Sequence, residues 1–193
     1  MKRLIVVLIA LFLGGCTFKE LKPITRYSIE PTNIVTLSHS KYKDKILKVS
    51  YPISISIPLT NKIKYNYVGG DSGYYLNSKY CCNVAQLLNG YFIETLQEAK
   101  IFKSVEPFQS SVVEDLRLEI MVNRFYNKIE DNNSYAVVDI SFNLIDANTN
   151  KLIKAKRFRE VVKSDTLNAK GYIDALKVAL NSIANSLVKW ISK

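Results

Sequence analysis

The sequence predicts an α+β protein whose mainly antiparallel sheet carries two long amphipathic helices on one face. Three segments between residues 116 and 162 alternate apolar and polar side chains, and turn-forming clusters at residues 131–133 and 146–150 separate them. This period of two indicates half-buried strands joined as a meander. Residues 83–100 and 168–191 instead repeat apolar side chains at every third or fourth position, which is the period of an amphipathic helix. Separate runs of strands and helices favour the α+β class.

The chain begins with a segment typical of a bacterial export signal. Residues 1–3 are a short basic start, and residues 4–13 are apolar without interruption. This run is too short to cross a bilayer, which needs about 20 residues, so it predicts a signal peptide over residues 1–15. The sequence LGGC at residues 13–16 resembles the bacterial lipobox, which implies cleavage before Cys16 and attachment of lipid to its thiol.

The domain boundaries follow from this start. Residues 16–26 are predicted to be the lipidated Cys16 and a short tether, and residues 27–193 a single periplasmic domain. Two or more acyl chains give stable anchoring, so the lipid would hold the domain permanently at a membrane. Thr17 stands where an inner-membrane retention signal would have Asp, and this favours the outer membrane over the inner one.

The first half of the domain is predicted to contain several short strands. Residues 27–29 predict a strand and residues 31–45 a polar loop. Residues 49–57 alternate large apolar side chains with serine and proline, which predicts a half-buried strand whose prolines place it at an edge. Residues 60–80 hold several tyrosines around a Gly-Gly pair, which indicates one or two short strands around a turn. Residues 101–107 predict a further short strand.

Two features of the first predicted helix add detail. Asn83 stands where an N-cap residue is expected. Gly90 lies in the helix interior, where glycine costs about 1 kcal/mol relative to alanine, so we expect a close packing partner there.

The composition and motifs argue against an enzyme. The chain has 193 residues, 48% hydrophobic and 23% charged, which is ordinary for a globular protein. Its single histidine, His39, lies in a polar loop, and the sequence shows no nucleophile signature, phosphate-binding loop or metal-ligand motif. We therefore expect no catalytic residues, no metal and no cofactor. Despite the formal charge of +10, an exported protein meets no nucleic acid, so we expect no such partner.

Two clusters leave alternatives open. The adjacent Cys81 and Cys82 are interpreted either as small, half-buried residues at the entry to the first helix or as a redox or metal pair. A basic cluster on the third meander strand is interpreted either as protection of a sheet edge or as a contact for anionic lipid or an acidic partner. Because its members alternate along a strand, they must divide between two faces. The cluster consists of Lys151, Lys154, Lys156, Arg157, Arg159 and Lys163.

Several segments resemble the ABC-type transport auxiliary lipoprotein family. The strand and turn motifs at residues 115–125, 138–147 and 154–158 are similar to those of the family, as are the segment 80–105 and the closing helix. The resemblance covers about residues 27–191. The sequence departs from the family at Tyr80, where tryptophan is usual, and at Cys81 and Cys82, which replace a small residue and an acidic one.

The resemblance implies a function without catalysis. Members of this family serve MCE/ABC-type phospholipid transport systems that link the inner and outer membranes. The implied partners are the membrane, through Cys16, an MCE-domain periplasmic protein and its ABC permease complex, with homo-oligomerisation left open. The alternative is a lipoprotein that assists an envelope assembly machine, in lipopolysaccharide export or in activation of a peptidoglycan synthase.

Overall fold

The computed structural model describes residues 22–193, and this part of the chain forms one eight-stranded sheet and two α-helices. The strands are β1 (Thr25–Tyr27), β2 (Ile46–Val49), β3 (Lys62–Tyr67), β4 (Ser72–Tyr80), β5 (Ser104–Pro107), β6 (Leu116–Glu130), β7 (Asn133–Asp146) and β8 (Lys151–Ser164). The helices are α1 (Val84–Ala99), between β4 and β5, and α2 (Ala169–Ser192), after β8.

β6 is the central strand, and it is long enough to pair with three others. Along one side it pairs with β7 in antiparallel orientation, and β7 pairs in the same way with β8. On its other side, the start of β6 pairs with β2 and its end pairs with β3, both in parallel orientation. β5 extends the sheet beyond β2, and β4 and then β1 extend it beyond β3. Two separate groups of short strands therefore lie at opposite ends of β6.

The meander forms because its turns suit tight antiparallel pairing. Asp131 and Asn132 join β6 to β7 with φ values of 48° and 57°. Two residues in this left-handed region match the right-handed twist of a hairpin, and Asp and Asn tolerate the conformation well. The turn predicted at residues 131–133 is confirmed.

Both helices pack on the same face of the sheet. The ring of Phe92 in α1 lies 5.0 Å from that of Phe142 in β7, and Trp190 in α2 lies 6.2 Å from Phe158 in β8. Asn83 caps α1 by accepting a hydrogen bond from the Gln86 N–H. The predicted α+β class is confirmed. The sheet itself is mixed, because the long strands β6–β8 are antiparallel whereas β1, β2, β3 and β5 each make parallel pairings.

The strand predicted over residues 49–57 is wrong beyond its first residue. β2 ends at Val49, and the following segment makes one isolated bridge, between Ile53 and Met121. Pro52 has no N–H to donate, so a regular ladder cannot continue past it. Ile53 and Ile55 are 58% and 87% exposed rather than buried.

Two other expectations also differ from the structure. A Cβ atom at Gly90 would meet no atom within 4 Å, so the expected close packing partner is absent from the described part of the chain. β1 begins at Thr25, two residues before the predicted start of the domain. The predicted signal peptide and Cys16 lie outside the described residues. Neither described helix combines the length and hydrophobicity needed to cross a bilayer.

Candidate interaction surfaces

The register of β8 divides the predicted basic cluster between the two faces of the sheet. Lys154 and Lys156 lie opposite Leu144 and Phe142, which are buried under the helices. Cross-strand neighbours share a face, so these two lysines point to the helix side. Three members lie on the open side: Arg157, Arg159 and Lys163 are opposite Ser141, Asp139 and Tyr135. Lys151 lies at the β7–β8 turn, opposite Asp146.

β8 is an edge strand, as the edge-protection interpretation requires. Among residues 22–193 it pairs with β7 alone. Its unpaired side carries backbone donors and acceptors that another strand could bind, and basic side chains discourage this pairing. Protection of the sheet edge therefore explains why basic residues lie along β8, and this explanation needs no binding partner.

Lys154 has a structural contact that the sequence pattern does not reveal. Its Nζ donates to the carbonyl oxygens of Trp190 and Ile191 at 2.7 and 2.9 Å, in the last turn of α2. These carbonyls lack partners within the helix and carry the negative end of the helix dipole. Burial, with a smaller contribution from Lys41, lowers the pKa of Lys154. We therefore assign Lys154 to the C-terminal cap of α2 and not to the open part of the cluster.

Arg157 forms an ion pair with a buried carboxylate. Its Nε and Nη2 atoms donate to the two oxygens of Asp139 at 2.7 and 2.6 Å, and the Asp139 side chain is fully buried. Asn123 donates to the same carboxylate and to the Ser141 hydroxyl. The hydrogen bonds from Arg157 hold the pKa of Asp139 below its ordinary value. The negative charge inside the open face of β7 is thus compensated by a guanidinium that remains 59% exposed.

A pocket of about 470 Å³ lies beside this network. It forms where the segment after β2 crosses the middle of β6, held by hydrogen bonds between Ile53 and the backbone of Ile120 and Val122. The lining consists of Ser50, Tyr51, Ile53, Glu119, Ile120, Met121, Ser141 and Asn143. This set combines an apolar rim with hydroxyl and amide groups, and among the described residues it includes one carboxylate and neither thiol nor imidazole.

Cys81 and Cys82 lie at the corner between β4 and α1. Their sulfur atoms are 3.5 Å apart, and Cys81 is exposed. Burial and the neighbouring thiol raise the pKa of Cys82 to about 11. A thiol with a raised pKa is a weak nucleophile at neutral pH, because the thiolate is the reactive form. His39 is exposed in the loop before β2. Residues 22–193 contain no group of three or more His, Cys, Asp or Glu side chains placed to hold a metal.

A second group of lysines was not identified from the sequence. They lie at the end of the sheet where β2, β5 and β6 begin and where both helices finish, which we call the basic end. Its exposed members are Lys41, Lys43, Lys45, Lys100, Lys103 and Lys151. Only Lys151 belongs to the predicted cluster. The others are brought together by topology, since the chain reaches this end in three separate loops.

No family model matches the sequence, and no curated protein matches it. Comparison of folds does find similar structures. Protein XCC0632 from Xanthomonas campestris, which carries the family description DUF330, has a TM-score of 0.73 at 16% identity, over 87% of this chain and 95% of that one. The structure of an uncharacterised protein has a TM-score of 0.64 at 13% identity, over 86% and 100% of the two chains. The chain therefore has the α+β fold found in a DUF330 protein.

Proposed function

We propose that this protein is a lipid-anchored, non-enzymatic accessory subunit of an MCE/ABC-type phospholipid transport system. The observation that carries the proposal is the fold shared with a DUF330 protein over most of both chains. It is joined by the resemblance of residues 1–16 to an export signal that ends in a lipobox. The order of the motifs in residues 115–191, which resembles that of transport auxiliary lipoproteins, supplies the link to lipid transport.

In this proposal the subunit acts by position. Lipid on Cys16 fixes it at a membrane, with the outer membrane favoured, and the folded domain receives the end of the MCE-type periplasmic protein. A conduit held close to the bilayer lets a phospholipid pass without exposing its acyl chains to water, which would cost about 0.8 kcal/mol per CH₂ group. The surfaces described above offer basic and polar groups that such a role can use for binding.

The anchor is tested by replacing Cys16 with alanine. Metabolic labelling with a radioactive fatty acid should mark the parent chain and leave Cys16→Ala unlabelled, because the lipid is attached through that thiol. Cys81→Ala is the matched control and should be labelled like the parent. Equal labelling of Cys16→Ala and the parent would exclude the lipoprotein assignment.

The transport role is tested by co-purification. The full chain, extracted from membranes in detergent, should bring down an MCE-type periplasmic protein together with its permease and ATPase. The genes for those components should also lie beside the gene for this chain. Recovery of lipopolysaccharide-export proteins or of a peptidoglycan synthase in their place would instead support the envelope-assembly alternative and exclude the transport role.

A further inference from the structure

The two ends of the sheet differ in charge. The six exposed lysines of the basic end lie close to only a few carboxylates, and two of these accept hydrogen bonds from backbone N–H groups. Asp115 accepts a hydrogen bond from the Ile46 N–H at 2.8 Å and pairs with Lys45. Asp146 accepts from the N–H groups of Asn148 and Thr149. Asp44 is exposed beside them. The opposite end carries acidic side chains in its turns: Asp71, Glu130, Asp131 and Asp165. Lys128, Lys163 and Lys170 also lie at that end, and there Lys128 is paired with Glu130 and Lys170 with Asp174.

Structural contacts explain only part of the basic end. The Lys43 ammonium donates to the carbonyl of Lys100 at 2.8 Å and so satisfies the C-terminus of α1, as Lys154 does for α2. Lys45 is paired with Asp115. Within residues 22–193, the ammonium groups of Lys41, Lys100, Lys103 and Lys151 have no carboxylate within ion-pair distance. Lys41 lies 4.9 Å from the centre of the Tyr42 ring, so Lys100, Lys103 and Lys151 are the three exposed cations to which these contacts assign no structural role.

The basic end also contains a recess, which a projecting side chain could enter but a flat partner surface could not. A depression of about 270 Å³ lies between the C-terminus of α1 and β5. Lys43, Lys100 and Lys103 line it together with Gln97 and Ser104. Three lysines around a depression of this size, two of them with ammonium groups that have no carboxylate partner among residues 22–193, suit a carboxylate side chain that projects from a partner.

The course of the chain places the basic end away from the anchor. β1 runs parallel to β4, with Thr25 opposite Ser78, so the chain that precedes Thr25 approaches from the end with the acidic turns. The nine residues from Cys16 to Thr25 can reach about 30 Å when extended. The 15 residues of β6 separate the two ends by about 50 Å. The direction in which the chain enters β1 favours an orientation with the acidic-turn end towards the membrane and the basic end towards the periplasm.

From these observations we propose that the basic end is the docking surface for a carboxylate-rich face of a periplasmic protein. The inference rests on the lipid anchor of the proposed function and adds the chemistry and the location of the partner contact. Complementary charge of this kind steers association and fixes orientation, and its effect declines as salt screens it. An anionic bilayer is the less suitable occupant, because the anchoring membrane lies at the other end.

Photo-crosslinking in cells tests the location. A photo-reactive residue is placed at position 103 of the full chain, and at position 131 as the matched control at the opposite end. We expect position 103 to capture a periplasmic protein, which is identified by mass spectrometry and then purified, and position 131 not to capture it. Capture of phospholipid at position 103, or of the protein at position 131 alone, would overturn the proposal.

Charge reversal tests the chemistry. The double variant Lys100→Glu/Lys103→Glu should weaken binding of that purified partner by about tenfold or more, and raised salt should weaken the parent in the same way. The double variant Lys62→Glu/Lys177→Glu has the same net charge, changes exposed residues elsewhere and should bind like the parent. Equal loss in both variants, or in neither, would overturn the proposal. So would binding of phosphatidylglycerol vesicles that depends on Lys100 and Lys103.

The outcomes also separate this proposal from the transport role. A partner captured at position 103 that is not an MCE-type protein leaves the docking surface standing and removes the transport role. An MCE-type partner captured only at position 131 supports the transport role and removes the docking surface.

Discussion

Gly171 and Gly90 show that the same residue type has opposite effects at two helical positions. At Gly171, in the first turn of α2, a Cβ atom would overlap the Thr166 side chain and lie 2.9 Å from the Thr166 carbonyl oxygen. At Gly90, in the middle of α1, a Cβ atom would meet no described atom within 4 Å. Close backbone approach requires glycine at the first position, whereas the second bears only the entropic cost of a flexible residue in a helix.

These sites give a paired stability prediction. Gly171→Ala should lower the free energy of unfolding by about 1–3 kcal/mol, because the added methyl group forces the backbone apart. Gly90→Ala should raise it by about 0.5–1 kcal/mol. Urea denaturation of the purified proteins measures both. If both substitutions changed the free energy of unfolding in the same direction, the packing described around Gly171 or around Gly90 would be wrong.

The environment of Glu114 leads us to expect that the free energy of unfolding decreases in acid. Its carboxylate, only 14% exposed, lies 3.0 Å from the Lys48 ammonium and 3.1 Å from the Arg117 guanidinium. The hydrogen bond from Lys48, then one from the backbone and one from Arg117, lower the pKa of Glu114 to about 2. Because the folded state holds the proton less tightly than the unfolded chain, the stabilisation is fully present above the unfolded pKa of about 4.3. It is lost as the pH falls from there through about 2.

The measurement compares unfolding free energies at pH 6, 4 and 3. Glu114→Gln should be less stable than the parent at pH 6, and the difference should shrink as the pH falls. Asp174→Asn, which removes an exposed i,i+4 pair with Lys170, should change stability by less than about 1 kcal/mol at pH 6. A constant difference between Glu114→Gln and the parent at all three pH values would contradict the assignment.

At the scale of single elements, the end of α2 depends on a residue from another strand. Replacing Lys154 by methionine keeps most of the side-chain volume and removes the charge from the last carbonyls of the helix. We expect a cost of about 0.3–2 kcal/mol, the range for a charge at a partly buried helix terminus. Lys156→Met is the matched control, because Lys156 lies on the same face but is exposed and should change stability by less than about 0.5 kcal/mol. Thermal unfolding that fails to distinguish the two variants would exclude the cap.

The elements that could be predicted from sequence are the long ones. β6, β7, β8 and both helices each extend over enough residues for a period to stand out, and their turns carry the expected residues. The short strands are defined by what they pair with, so β1 and β5 could be placed only approximately. The error at residues 49–57 arose because the apolar period was intact while Pro52 prevented a ladder.

The candidate surfaces were predictable only where their members are neighbours in sequence. The β8 cluster was visible, but which of its members face the helices depends on register, and the irregularity between Leu144 and Ile145 shifts that register near one end of β7. The basic end was not visible, because Lys43, Lys100 and Lys103 come from loops that the fold alone brings together. Such a surface can be recognised only once it is known that β2 lies between β5 and β6, because these pairings bring the loops before β2 and β5 together.

At the scale of the whole molecule, the two groups of short strands depend on one long strand. β2, with β5 beyond it, contacts β6 near Leu116, and β3, with β4 and β1 beyond it, contacts β6 near Asn127. The core beneath them is continuous, since α2 packs on β7 and β8, α1 packs on β5 and β2, and the two helices contact each other. The sheet therefore places the arriving chain and the basic end on different strand groups while a shared core keeps their distance fixed.

The parallel pairing of β1 with β4 has a mechanical consequence. A pull on the chain that precedes Thr25 acts along the strand axis and loads the β1–β4 hydrogen bonds in shear, so they resist together rather than one at a time. That resistance is small because only three residue pairs connect the two strands. β1 should thus yield first under tension while the core stays folded. Because its three residues are already extended along the pull, their release would lengthen the chain very little. The first strand is therefore the weakest mechanical connection between the preceding chain and the rigid body of the domain.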